Sequence, residues 1–101
     1  MIVEITNENY ESEVLRYEGT AVVDFYAVWC GPCKMQSPII EELAAERPDV
    51  KFCKLDTDAA PVIAIQNGIT SIPTIMVFKN GEVVHKEIGL TTKAELIQLI
   101  G

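Results

Sequence analysis

Apolar and polar positions along the chain change rhythm several times, and each change marks an element. Ile2 to Ile5 reads as a short first strand. Tyr10, Val14 and Tyr17 recur at helical spacing, which predicts a helix from about Glu8 to Tyr17, ended by Gly19. Ala21-Val22-Val23-Asp24-Phe25-Tyr26 is an apolar run broken by one aspartate, the pattern of a strand covered on both faces. Met35, Ile39 and Leu43, with Ile40 and Ala44 beside them, then trace a long helix that Arg47-Pro48-Asp49 closes. Pro38 falls inside it and is expected to kink it, because proline lacks an N–H and clashes with the preceding turn.

Val50 to Leu55 is a further strand, and Pro61 suits the first turn of a short helix through about Gln66, with Gly68 past its end. Thr74 to Lys79 and Glu82 to Glu87 flank Asn80-Gly81, a dipeptide that supplies the two positive-φ positions of a type I′ hairpin turn. Thr92-Lys93-Ala94-Glu95 is a capping box that opens a last helix, with Leu96, Leu99 and Ile100 on one face. Strand, helix, strand in the first half predicts a parallel βαβ unit with a right-handed crossover. The second half predicts an antiparallel hairpin. The expected fold class is α/β: one domain over residues 1–101, with a mixed sheet covered by helices on both sides.

Composition narrows the function. The 101 residues are 49% hydrophobic and 23% charged, the balance of a globular domain with a core. The net charge is −7, and no basic stripe is available to neutralise phosphates, so neither nucleic acid nor an anionic membrane is an expected partner. No apolar run approaches the roughly 20 residues of a spanning helix. Met1-Ile2-Val3-Glu4 has neither the basic nor the apolar region of a signal peptide, so the chain is expected to stay in the cytoplasm where it is made. The three cysteines, Cys30, Cys33 and Cys53, are odd in number and too few for a disulfide framework.

Cys30-Gly31-Pro32-Cys33 lies between a buried strand and the start of a helix. At a helix N-terminus, unpaired N–H groups and the macrodipole favour an anion, which lowers the pKa of a thiol there and raises its reactivity. Two intervening residues bring the second sulfur within bonding reach, and Pro32 in the first turn costs no hydrogen bond. The implied reaction is thiol–disulfide exchange: Cys30 attacks, and Cys33 resolves the mixed disulfide. Half of a zinc site is the competing reading of such a pair. There is no second C-x-x-C, however, and His85 and Cys53 lack ligand spacing.

The segment Asp24-Phe25-Tyr26-Ala27-Val28-Trp29-Cys30-Gly31-Pro32-Cys33-Lys34-Met35 resembles the active-site segment of the thioredoxin family. Ser71-Ile72-Pro73-Thr74 resembles that family's second signature loop, and Phe78-Lys79-Asn80-Gly81-Glu82 followed by Gly89 resembles its closing hairpin. The resemblance covers essentially the whole chain. It implies a central mixed five-stranded sheet flanked by about four helices. It also implies a disulfide reductase with no bound cofactor, working as a monomer on diverse oxidised proteins and recharged by an NADPH-linked thioredoxin reductase. Gly-x-Gly-x-x-Gly is absent, so no nucleotide site is expected in the chain itself.

By the same resemblance, Pro73 matches a cis-proline, and the backbone of Ile72 pairs with an extended substrate. Trp29, Gly31, Pro32, Ile72, Pro73, Ile88 and Gly89 form a flat apolar docking surface. Asp24 and Lys54 match a buried aspartate and its lysine partner, which move a proton to and from Cys33. Burial within an apolar run is expected to raise the Asp24 pKa.

Two positions depart from the pattern. Val28 stands where relatives often carry an acidic residue or proline, and Tyr26 replaces a frequent tryptophan. Cys53 is expected to be a small buried hydrophobe and His85 a surface residue of the hairpin. Glu41, Glu42 and Glu46 read as the solvated face of the long helix. Two other functions fit the same surface: a redox-independent partner subunit or scaffold, and an oxidase or isomerase. By resemblance, Gly-Pro between the cysteines favours reduction.

Overall fold

The computed structural model describes residues 1–101. The strands are β1 (Ile2–Glu4), β2 (Thr20–Tyr26), β3 (Lys51–Asp56), β4 (Thr74–Lys79) and β5 (Glu82–Ile88). The α-helices are α1 (Gly31–Glu46), α2 (Pro61–Gln66) and α3 (Lys93–Ile100). One five-stranded sheet has the order β1-β3-β2-β4-β5. The β1, β3 and β2 neighbours are parallel, whereas β2–β4 and β4–β5 are antiparallel. This is the mixed α/β architecture the sequence predicts. No helix is long and apolar enough to cross a membrane.

Side chains alternate across the central strands, and the two faces of the sheet bury two separate cores. Val23, Phe25, Cys53, Leu55, Met76 and Phe78 pack with Ile63 and Ala64 of α2 and with Val14. Val22, Phe52, Ile75 and Val77 pack on the other face, with Ile40 and Leu43 of α1 and Leu96 and Ile100 of α3. Asp24 shares the second face with Val22, so it points to the side that α1 covers.

The helix predicted from Glu8 to Tyr17 is shorter and wider than its periodicity suggests. Thr6 and Asn9 exchange reciprocal hydrogen bonds between side chain and backbone N–H. Only Glu11–Leu15 is then helical, as a π-type turn in which Arg16 N–H donates to Glu11 O at 2.8 Å. The widened turn buries Val14 completely, and Tyr10 and Tyr17 pack against the same core. This segment is the fourth helical element.

The hairpin turn is as predicted, with φ of 52° at Asn80 and 84° at Gly81. Gly81 is required for a second reason: a Cβ there would collide with the backbone oxygen of Leu15. Asn80 ties the turn back to Gly19 by accepting from Gly19 N–H at 2.8 Å and donating its own N–H to Gly19 O at 2.9 Å. The capping box at Thr92 and Glu95 is complete. Glu41, Glu42 and Glu46 are exposed, and the latter two form ion pairs with Lys93 of α3. His85 is exposed on β5.

Candidate active site

The site begins where β2 ends. Cys30 is the N-cap of α1 with extended backbone, and Pro32 stands in the first helical turn. The Cys30 sulfur accepts a hydrogen bond from Cys33 N–H at 3.2 Å, so an otherwise unpaired helix donor points at that sulfur. Cys30 and Cys33 are joined as a disulfide, with Cα atoms 5.3 Å apart. Both cysteines are nearly buried, yet they face different surroundings. Cys30 Sγ lies 3.8 Å from Ile72 O, at the edge of the outer surface. Cys33 lines an inner pocket of about 230 Å³ together with Asp24, Tyr26, Val28, Lys34 and Lys54.

The outer surface combines three segments. Trp29 is 68% exposed and Ile88 64% exposed, and Gly31 and Pro32 are exposed between them. Ile72 and Gly89 are half-buried, and Pro73 is buried. The Ile72–Pro73 peptide bond is cis. Gly89, at φ +91°, donates its N–H to Pro73 O at 2.8 Å, which joins the end of β5 to the Ile72–Pro73 loop. All seven residues anticipated for docking therefore belong to one neighbourhood around Cys30, with Pro73 beneath rather than on the surface.

Asp24 is 4% exposed, and its Oδ1 has no hydrogen-bond partner. Burial raises its pKa from 3.8 to about 7, partly offset by the positive charge of Lys54. Asp24 and Lys54 are register partners across β2 and β3. The ion pair Lys54 makes, however, is with Glu4, 3.7 Å from Nζ to Oε1. Lys54 thus acts on Asp24 through its field and remains largely exposed. Tyr26 OH lies 3.3 Å from both Glu4 carboxylate oxygens, and burial followed by nearby carboxylates pushes its pKa to about 12. Val28 is exposed on the wall of the same pocket, so an apolar side chain stands where a carboxylate would add negative potential beside Asp24.

One contact was invisible in the sequence. The Trp29 indole N–H donates to Asp58 Oδ2 at 2.7 Å, across 29 residues of chain. Asp58 is itself held by a bond from its N–H to Asp56 Oδ1. This fixes the orientation of an exposed tryptophan that packing alone would leave free. No local pattern around Asp58 signals the contact, because the two residues meet only once β2 and β3 are paired.

A family model described as Thioredoxin matches residues 1–101. The thioredoxin of Chlamydia muridarum is 45% identical over 100 residues, covering 99% of this chain and 96% of that protein. The thioredoxin of Rickettsia prowazekii is 46% identical over 101 residues, with 99% and 96% covered. A rice protein named Thioredoxin M5, chloroplastic, is 45% identical over 100 residues, covering 98% of this chain and 58% of that protein.

Proposed function

The chain belongs to the thioredoxin family and is a dithiol–disulfide oxidoreductase; on that premise we propose how its residues divide the work. Cys30 is the attacking thiolate and Cys33 the resolving thiol. The observation that carries this assignment is their separation: Cys30 adjoins the outer surface at Ile72, whereas Cys33 opens to the pocket that holds Asp24.

The reduced protein attacks one sulfur of a substrate disulfide with Cys30, which forms a mixed disulfide and releases one substrate thiolate. Asp24 accepts the Cys33 proton, directly or through water in the pocket. The Cys33 thiolate then attacks Cys30 Sγ and expels the second substrate thiolate. Two electrons pass to the substrate, and the protein is left with a Cys30–Cys33 disulfide. Asp24 is suited to this step because a carboxyl with a pKa of about 7 exchanges protons near neutrality. Lys54 biases it toward the ionised form.

Trp29, Gly31, Pro32, Ile72, Pro73, Ile88 and Gly89 receive the substrate, with the Ile72 backbone pairing with an extended segment. Docking through main chain and a small apolar surface suits many oxidised proteins rather than one. The working unit is a single domain, residues 1–101, acting as a monomer in the cytoplasm. It returns to the dithiol form by accepting electrons from an NADPH-linked thioredoxin reductase.

Dithiothreitol-driven reduction of a protein disulfide, compared for wild type, Cys30→Ser and Cys33→Ser, tests the reading. Strong acceleration by wild type and loss of turnover in both variants is expected. A wild type no faster than dithiothreitol alone would overturn it.

A further inference from the structure

Gln36 lies in α1, one turn beyond Cys33, and its side chain is fully buried. A buried amide is costly unless every polar atom finds a partner. Both ends of this one do, on the backbone of a single residue. Gln36 Nε2 donates to Thr91 O at 3.0 Å, and Thr91 N–H donates to Gln36 Oε1 at 2.8 Å.

Thr91 stands in the irregular segment between β5 and α3, where no strand or helix satisfies its backbone. It is itself buried, and its hydroxyl donates to Gly89 O at 3.1 Å. Gly89 in turn donates to Pro73 O at 2.8 Å. A continuous set of hydrogen bonds thus runs from the helix that carries both cysteines, through Gln36, to the Ile88–Gly89 edge and the Ile72–Pro73 loop. A leucine or methionine at position 36 would fill the same space and leave both Thr91 groups unpaired, so packing does not explain the amide.

We propose that Gln36 is a positioning residue for protein substrates: it holds the Ile88–Gly89 edge of the docking surface at a set distance from Cys30. The inference rests on the reading that this surface receives the substrate. A small aromatic disulfide that reacts at Cys30 needs no docking edge, whereas a protein disulfide does. The role is therefore visible as a change in preference between the two.

The test measures kcat and KM for a protein disulfide, and the rate with 5,5′-dithiobis(2-nitrobenzoate), in wild type, Gln36→Met and Gln36→Glu. Gln36→Met removes both bonds. Gln36→Glu keeps the size and the acceptor for Thr91 N–H, and serves as the second variant should the first not fold. For the protein disulfide, KM is expected to rise about tenfold in Gln36→Met, the effect of losing roughly one net hydrogen bond's worth of ordering. A smaller rise is expected in Gln36→Glu, and the rate with the small disulfide is expected to stay within about twofold in both.

A protein-to-small-disulfide ratio equal to wild type in every folded variant would overturn the assignment, including the case where melting temperature alone falls. A wild type inert toward the protein disulfide would instead overturn the reductase reading, and this inference with it.

Discussion

Asp24 and Cys53 are ionisable groups on adjacent strands of one sheet, both nearly inaccessible, yet they sit in opposite chemical situations. Cys53 points into the core beneath α2, among Val23, Phe25, Leu55 and Met76. Burial there pushes its thiol to about 12, so the thiolate is not formed near neutrality. Asp24 points to the opposite face and borders a pocket shared with Cys33 and Lys54. Desolvation leaves it titrating at about 7, where proton transfer is useful. Burial raises both by a similar amount, Asp24 from 3.8 to about 7 and Cys53 from 9.0 to about 12. The same desolvation silences the thiol and tunes the carboxyl because the carboxyl starts so much lower; of the two, only Asp24 also borders the pocket. Cys30 completes the contrast: it is as nearly buried as Cys33, but it caps a helix and takes an N–H bond on its sulfur.

The largest effect separates the cysteines. Cys30→Ser is expected to bring protein-disulfide reduction to the uncatalysed rate. Cys53→Ala is expected to leave turnover within about twofold of wild type, because its thiol never ionises in the working range. Parallel turnover assays check both, and a Cys53→Ala enzyme as inactive as Cys30→Ser would break the comparison.

Next comes the stability cost of Asp24. Its pKa is raised from 3.8 to about 7 in the folded state. Below 3.8 the carboxyl is protonated whether folded or unfolded, and no cost applies. As pH climbs from 3.8 to about 7, the unfolded chain ionises while the folded protein keeps its proton, and stability falls. Above about 7 the full cost of about 4 kcal/mol is present. Asp24→Ala, after allowance for the space it leaves, is expected to be more stable than wild type by about 2 kcal/mol at pH 8.5. The gain is expected to vanish toward pH 4, and exchange is expected to slow. Thermal melts at both pH values check this, and an equal or lower melting temperature at pH 8.5 would refute the burial argument.

Cys53→Ala is expected to cost about 1 kcal/mol, independent of pH between 5 and 8, since it removes one packed sulfur and no titrating group. Urea unfolding at three pH values reads this. Smallest is the effect of Lys54→Met. Loss of the positive charge removes what lowers the Asp24 pKa, so the pH midpoint of resolution by Cys33 is expected to move upward. Single-turnover kinetics across pH would show it; a downward shift would mean that Lys54 acts on Asp24 in some other way.

What was legible in the sequence was local. The Asn80-Gly81 turn, the Thr92–Glu95 box, Pro61 at the head of α2 and the Cys30–Cys33 helix start each carry their chemistry within a few residues, and the structure has all four. The helix expected over Glu8 to Tyr17 failed in extent. Three apolar residues at helical spacing do not reveal that Thr6 and Asn9 bond to each other's backbone N–H, or that the turn widens around Val14. Contacts between distant segments were silent: Trp29 with Asp58, Gln36 with Thr91, and the ion pair that draws Lys54 toward Glu4 rather than Asp24. Lys54–Glu4 depends on strand register, which the pattern of apolar positions limits but does not set to the residue, and the other two depend on how loops and α1 pack once the sheet has formed.

Disulfide exchange by this chain requires Cys30 as nucleophile and Cys33 as resolver. The most direct test incubates reduced Cys33→Ser with a protein disulfide and maps any covalent adduct by mass spectrometry. One adduct per chain, located at Cys30 and absent from Cys53, is the predicted result. No adduct, or an adduct at Cys53, would contradict it.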